Sequence, residues 1–222
     1  VVKLYFKYFF PTMCAALSTS VYILFDTIFI GQGVGSKGLT ALNISLPIYS
    51  IYFGTGLLIG IGGSTLMSIE KGRERLDKAN KIFTLSFILG LILATIYCII
   101  GFVFLEEIAL VLGATKEIMP FVKEYMVVVV IGTIPFVMGS VMAPFIRADK
   151  APKKAMFAVI FSGVLNIILD YIFVFPLDMG MRGAAIATVF SYTISCLILL
   201  THLLYLHFSL ALLLFLNSQS DL

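Results

Sequence analysis

The chain has 222 residues, 60% of them hydrophobic and only 12% charged, with a mean hydropathy of +1.09. A soluble domain carries about 25% charged and 45–50% apolar residues, so this composition belongs in a bilayer rather than in water. The net charge of +3 is too small for a nucleic-acid footprint, and Cys14, Cys98 and Cys196 lie too far apart for a disulfide framework or a zinc site.

Six apolar stretches are long enough to span about 30 Å of hydrocarbon, which takes roughly 20 helical residues. The first, residues 4–30, contains Pro11 and a polar line of Ser18, Tyr22 and Asp26 at four-residue spacing. The second, 44–69, contains Pro47 and is crowded with Gly54, Gly56, Gly60, Gly62 and Gly63. Gly56 and Gly60 stand in the small-xxx-small spacing of closely packed membrane helices, and no strand–turn–helix context makes a dinucleotide loop of them. A basic loop, 70–81, leads to the third stretch, 82–105. The fourth, 125–146, carries Pro135 and Pro144, each of which removes one backbone hydrogen bond. A second basic loop, 147–154, precedes the fifth stretch, 155–175, which contains Asn166 and Asp170.

The sixth stretch is 183–206, but no Asp, Glu, Lys or Arg occurs anywhere from Gly183 to Leu216. A straight helix of that length would run about 50 Å, too long for one upright crossing. His202 and His207 are expected to mark where the sixth helix leaves the hydrocarbon, with the apolar tail lying on the membrane or against a partner. Ten-residue alternating segments, the mark of a β-barrel, do not occur. The expected class is an all-α polytopic membrane protein.

Lys and Arg set the expected orientation. Eleven of the fifteen (Lys3, Lys7, Lys71, Arg73, Arg75, Lys78, Lys81, Arg147, Lys150, Lys153, Lys154) fall on one side. Only four (Lys37, Lys116, Lys123, Arg182) fall on the other. The cell membrane is thus the expected location, with both termini and both basic loops cytoplasmic. No leader with a cleavage site opens the chain, and its first residue is Val, consistent with a piece of a longer protein.

Two carboxylates stand apart from the rest. Asp26 lies within the first stretch and Asp170 within the fifth, whereas every other acidic residue lies in or beside a loop or in the tail. An acidic side chain deep in a lipid-embedded helix costs several kcal/mol, so it faces a cavity and has a task. Asn166 shares a helical face with Asp170. Counted back from the outer turns, Asp26, Asp170 and Thr188 lie about 8–12 Å below the ends of their helices. If those three helices touch, Asp26, Asn166, Asp170 and Thr188 form one polar site in the outer half of the bundle. Phe136, Met138 and Phe157 are the side chains expected to line a cavity for small hydrophobic or cationic substrates.

The run Asp26-Thr-Ile-Phe-Ile-Gly31 resembles the end of the first helix in the multidrug and toxic compound extrusion (MATE) family. Asn166-Ile-Ile-Leu-Asp170-Tyr171 and Asp178-Met-Gly-Met-Arg-Gly-Ala-Ala-Ile-Ala-Thr188 resemble its fifth helix, the outer turn and the start of its sixth. Arg147-Ala-Asp-Lys150 resembles the loop between its fourth and fifth helices. The resemblance implies the N-terminal six-helix lobe of a twelve-helix transporter, of the DinF-like branch, exporting organic compounds in exchange for protons or sodium ions. It also implies a cation-coupling role for the carboxylates of the first and fifth helices, bending at Pro11, a cavity position for Tyr22, and a second lobe that this chain lacks. Without that lobe, residues 1–222 are expected to associate with one or with themselves.

Three other functions bear on the same residues. A lipid-linked oligosaccharide flippase of the wider superfamily needs Arg or Lys inside the spans to hold pyrophosphate, and no span has one at its centre. An intramembrane aspartyl protease also needs two buried aspartates. Here they follow Leu24-Phe25 and Ile168-Leu169 instead of the Gly-x-Gly that marks such an enzyme. A non-transporting half-transporter subunit is the third.

Overall fold

A computed structural model describes residues 2–220, with side chains described for residue 2 and residues 5–203. Eight helices follow in order: α1 (Val2–Gly33), α2 (Ser36–Gly72), α3 (Leu76–Val103), α4 (Leu105–Val111), α5 (Met119–Ile131), α6 (Thr133–Ala148), α7 (Pro152–Val174) and α8 (Gly180–Ser220). Five of them are long and apolar enough to cross a bilayer, and α5 with α6 passes the same test only as a pair, bent by 52°.

That bend departs from the single helix expected over 125–146, and its cause is local. Pro135 has no N–H to offer the carbonyl one turn back, and its ring crowds that carbonyl, so the helix breaks upstream at Gly132. At the break Thr133 Oγ1 donates to the Val130 carbonyl at 2.8 Å. The bend also needs a glycine, because a Cβ on residue 132 would stand 2.5 Å from Cγ2 of Val189 in α8.

α6 occupies the centre of the bundle, with Phe136, Val137, Val141, Phe145 and Ile146 fully buried, and it packs against α2, α3, α7 and α8. α2 lies on it through the glycine stripe. A Cβ at Gly56 would approach the Val137 carbonyl oxygen to 2.8 Å, and one at Gly60 the Val141 carbonyl oxygen to 2.7 Å. Without hydrophobic water release between helices in lipid, this close backbone approach is a main source of packing energy. Gly54 and Gly62 have nothing near and contribute no contact of this kind.

α1 is the outermost crossing and leans chiefly on α7. Its buried face is the stripe Pro11, Ala15, Tyr22, Asp26 and Ile30, while Leu17, Leu24 and Phe25 point outward. α7 answers with Ala155, Ala158, Ser162, Gly163, Asn166, Asp170 and Val174, again at helical spacing. Small side chains let the two helices close up: a Cβ on Gly163 would meet the Ser18 hydroxyl at 3.0 Å. α8 closes the other side of α7 with a face of Ala184, Thr188, Ser191 and Ser195.

The end carrying the basic loops is tied by one aspartate. Asp149 accepts from Lys71 Nζ at 2.5 Å and lies 3.4 Å from His202 Nε2, so α2, the α6–α7 turn and α8 meet there. At the opposite end Lys37 pairs with Glu117 across 2.7 Å. The apolar crossing formed by α8 runs over Gly180–Leu203 among the described residues, so His202 lies at its end. α8 continues as helix to Ser220, because nothing in this apolar run interrupts the backbone ladder. The side chain of His207 lies outside the described residues.

Candidate functional site

The three helices that had to touch do touch: α7 lies between α1 and α8 and contacts both. All four polar residues are buried at this junction, Asp170 completely, Asn166 to within 2% exposure, Thr188 and Asp26 to within 7% and 8%. The carboxyls of Asp26 and Asp170 face one another within reach of a shared proton, with the Asn166 amide beside Asp170. Asn166 Nδ2 points to Thr188 Oγ1 at 3.4 Å, and that hydroxyl donates its own hydrogen to the Ala184 carbonyl at 3.0 Å.

Acceptors outnumber donors at the site. With both carboxyls ionised, Asp26 Oδ1, Asn166 Oδ1 and both oxygens of Asp170 are buried and receive no hydrogen bond. A buried acceptor left bare costs about 1–3 kcal/mol, more when it carries charge. Four buried oxygens left without a donor at one helix junction therefore fit a proton or a small hard cation held by oxygen ligands. Among the described residues no cluster of three His, Cys, Asp or Glu side chains offers a transition-metal site instead.

Two cavities lie in the same groove. The outer one, about 370 Å³, reaches Asp26 and Thr188 and is walled by Leu42, Tyr49, Tyr125 and others. The second, about 340 Å³, lies toward the basic end and is bordered by Arg147, Ser162, Ser195 and Leu199. Tyr22, Ile23, Phe53 and Tyr192 border both cavities, so they form the partition between them. Tyr22 and Tyr192 bridge the partition through a hydroxyl–hydroxyl hydrogen bond, and Phe53 packs on Tyr192 with ring centres 5.4 Å apart. Tyr49 and Tyr125 pair similarly at 3.2 Å.

The expected cavity lining is corrected by this geometry. Phe136 is fully buried between Tyr49 and Tyr192, Met138 is buried against α8, and Phe157 is 55% exposed on the outer surface. None of the three borders either cavity. The aromatic residues that do border them are Tyr22, Tyr49, Phe53, Tyr125 and Tyr192. A signal for two was present: Tyr192 follows Thr188, and Phe53 follows Tyr49, by four residues, the same spacing that stacks Tyr22 under Asp26.

Bent and straight crossings around a buried acidic pair, with cavities on either side of an aromatic partition, define a multi-pass membrane protein built around a groove. The MatE family model matches residues 11–172, well over half of the chain. This chain belongs to the MatE family. It is 32% identical over 194 residues to the multidrug export protein MepA of Staphylococcus saprophyticus, a match that covers 87% of this chain and 43% of that protein. Among solved structures, a MATE in complex with MaD3S superposes with a TM-score of 0.82 at 27% identity, covering 87% of this chain and 43% of that one. The outward-facing conformation of a multidrug resistance MATE family transporter of the MOP superfamily superposes with a TM-score of 0.79 at 28% identity, covering 87% and 43%. The chain thus spans less than half the length of these relatives and matches one lobe of their fold. The relatives are transporters rather than enzymes.

Proposed function

We propose that the chain is the N-terminal lobe of a cation-coupled antiporter of the DinF-like branch, exporting drugs or toxic organic compounds by alternating access. Asp26, Asn166, Asp170 and Thr188 are its coupling site, and the observation that carries this reading is the set of buried oxygens without donors. Two ionised carboxylates side by side, away from water, repel one another; a proton between them or a sodium ion among the four residues removes that repulsion. Loading or losing the cation therefore changes the energy with which α1 lies against α7. α1 is the crossing best placed to respond, since it is packed mainly on one neighbour and contains Pro11, whose missing N–H weakens the helix one turn back. Movement of α1 carries Tyr22, and with it the partition between the two cavities.

Small hydrophobic or cationic substrates suit the outer cavity, where Tyr, Leu and Phe side chains surround one acidic end. Rocking against a second lobe, or against another copy of this chain, supplies the opposite wall of the pathway. The Lys and Arg asymmetry supports cytoplasmic termini in the cell membrane. In the complete transporter, Asp170→Asn is expected to reduce ion-driven uptake of a fluorescent organic cation into inverted vesicles to the level of empty vesicles. Its thermal stability should stay near that of the parent, because the change removes a buried charge that has no fixed ionic partner. Unchanged transport by both Asp170→Asn and Asp26→Asn would refute the proposal.

A further inference from the structure

The cavity toward the basic end has a chemistry of its own, opposite in sign to the acidic pair. Its border includes the half-buried guanidinium of Arg147, at the last turn of α6, and no carboxylate. Among the described residues Arg147 forms no ion pair. Asp149, two residues on, is engaged by Lys71 and His202, and Glu70 by Arg73 and Arg75. A guanidinium presents five donors in a planar fork, and withdrawing it from water without a partner is unfavourable.

The hydroxyls around it divide into two groups. Thr19 and Ser140 donate to the carbonyls of Ala15 and Phe136, at 3.1 and 3.0 Å, and have no hydrogen left to give. Ser162 on α7 and Ser195 on α8 border the same cavity and make no hydrogen bond among the described residues. One guanidinium without an ion pair and two hydroxyls without a hydrogen bond thus border one space of about 340 Å³. Donors without acceptors are the counterpart of an oxyanion, and the fork of Arg matches a carboxylate or phosphate with two parallel hydrogen bonds. The remaining border is apolar, with Leu57, Ala143, Val159 and Leu199, so the occupant carries hydrocarbon as well as charge.

We propose that this cavity binds the anionic head of an amphiphile, a phosphate or carboxylate, with Arg147 as the charged clamp and Ser162 and Ser195 as its hydroxyl donors. The alkyl part lies along Leu57, Val159 and Leu199. Arg147, Ser162 and Ser195 do not belong to the coupling site, although Tyr22, Ile23, Phe53 and Tyr192 border both cavities.

The test is calorimetric titration of the purified protein, in neutral detergent, with dodecyl phosphate, with laurate and with inorganic phosphate. Dodecyl phosphate is expected to bind saturably, one per chain, with laurate competing and dodecyltrimethylammonium not competing. Arg147→Gln should weaken binding at least tenfold and Arg147→Lys less, since an ammonium keeps the charge but loses the fork. Ser162→Ala with Ser195→Ala should weaken it severalfold. Each variant is melted in parallel, so that loss of binding is read only from folded protein. Equal binding by folded Arg147→Gln would overturn the site. Displacement of dodecyl phosphate by millimolar inorganic phosphate would overturn the amphiphile assignment, because a free oxyanion would then suffice.

Discussion

Single residues carry the polar logic of this bundle, and much of it was legible in the sequence. Asp26, Asn166 and Asp170 stood out because charge and amide are costly within apolar helices, and depth counting placed them with Thr188 at one level. Which aromatic side chains line the groove was not legible. Phe136 and Tyr192 are both apolar-to-amphipathic residues in apolar helices, and only the rotation of each helix against its neighbours decides which meets a cavity. The Tyr22–Tyr192 pair offers a test at this scale. Tyr22→Phe leaves the Tyr192 hydroxyl unpaired at a largely buried position, which costs about 1–3 kcal/mol. The melting midpoint should fall by several degrees, at about 2–4 °C per kcal/mol for a chain of this size. Adding Tyr192→Phe should cost less than its effect alone, because the pair acts as a unit. Strict additivity in the melting curves would show that the hydroxyls do not interact.

Helices, as elements, owe their arrangement to small residues and to prolines. The glycine stripe of α2 was readable as a packing face, and the backbone of α6 lies against it. Gly60→Ala forces a methyl toward two carbonyl oxygens, at 2.7 and 2.9 Å, and should destabilise the fold by about 1–3 kcal/mol. Gly54→Ala meets nothing within 4 Å and should be neutral or stabilising by up to about 1 kcal/mol, since alanine favours helix. Reversed signs in thermal melts would mean that α2 and α6 do not pack as described. The break at Gly132 was only half legible. Pro135 announced a disturbance, but whether a membrane helix absorbs a proline or bends at it depends on its neighbours, here Val189 of α8 pressing on the residue that must be glycine. The approach of His202 to Asp149 was not legible, because the two meet only through the packing of α8 against the α6–α7 turn.

At the scale of the whole molecule, the all-helical membrane class was readable from the sequence, because bilayer thickness fixes helix length and charge is confined to loops, and the family was readable from the motifs around Asp26, Asn166 and Asp170. The second cavity was not readable, since Arg147, Ser162 and Ser195 come from three helices and carry no pattern along the chain. Orientation is tested with impermeant thiol labelling of a cysteine-free background in intact cells. Cysteines at Ser36 and Asp178 should react and one at Glu74 should not; the opposite pattern would invert the bundle. The central claim is that Asp26 and Asp170, from two helices, hold one cation between them. It is tested most directly by counting cations bound to the purified protein, with proton uptake and radioactive sodium binding measured in parallel. One cation is expected to be lost from this lobe in Asp26→Asn, in Asp170→Asn and in the double variant alike, because either single change dissolves the shared site. Two cations released independently, or full binding retained by either single variant, would contradict it.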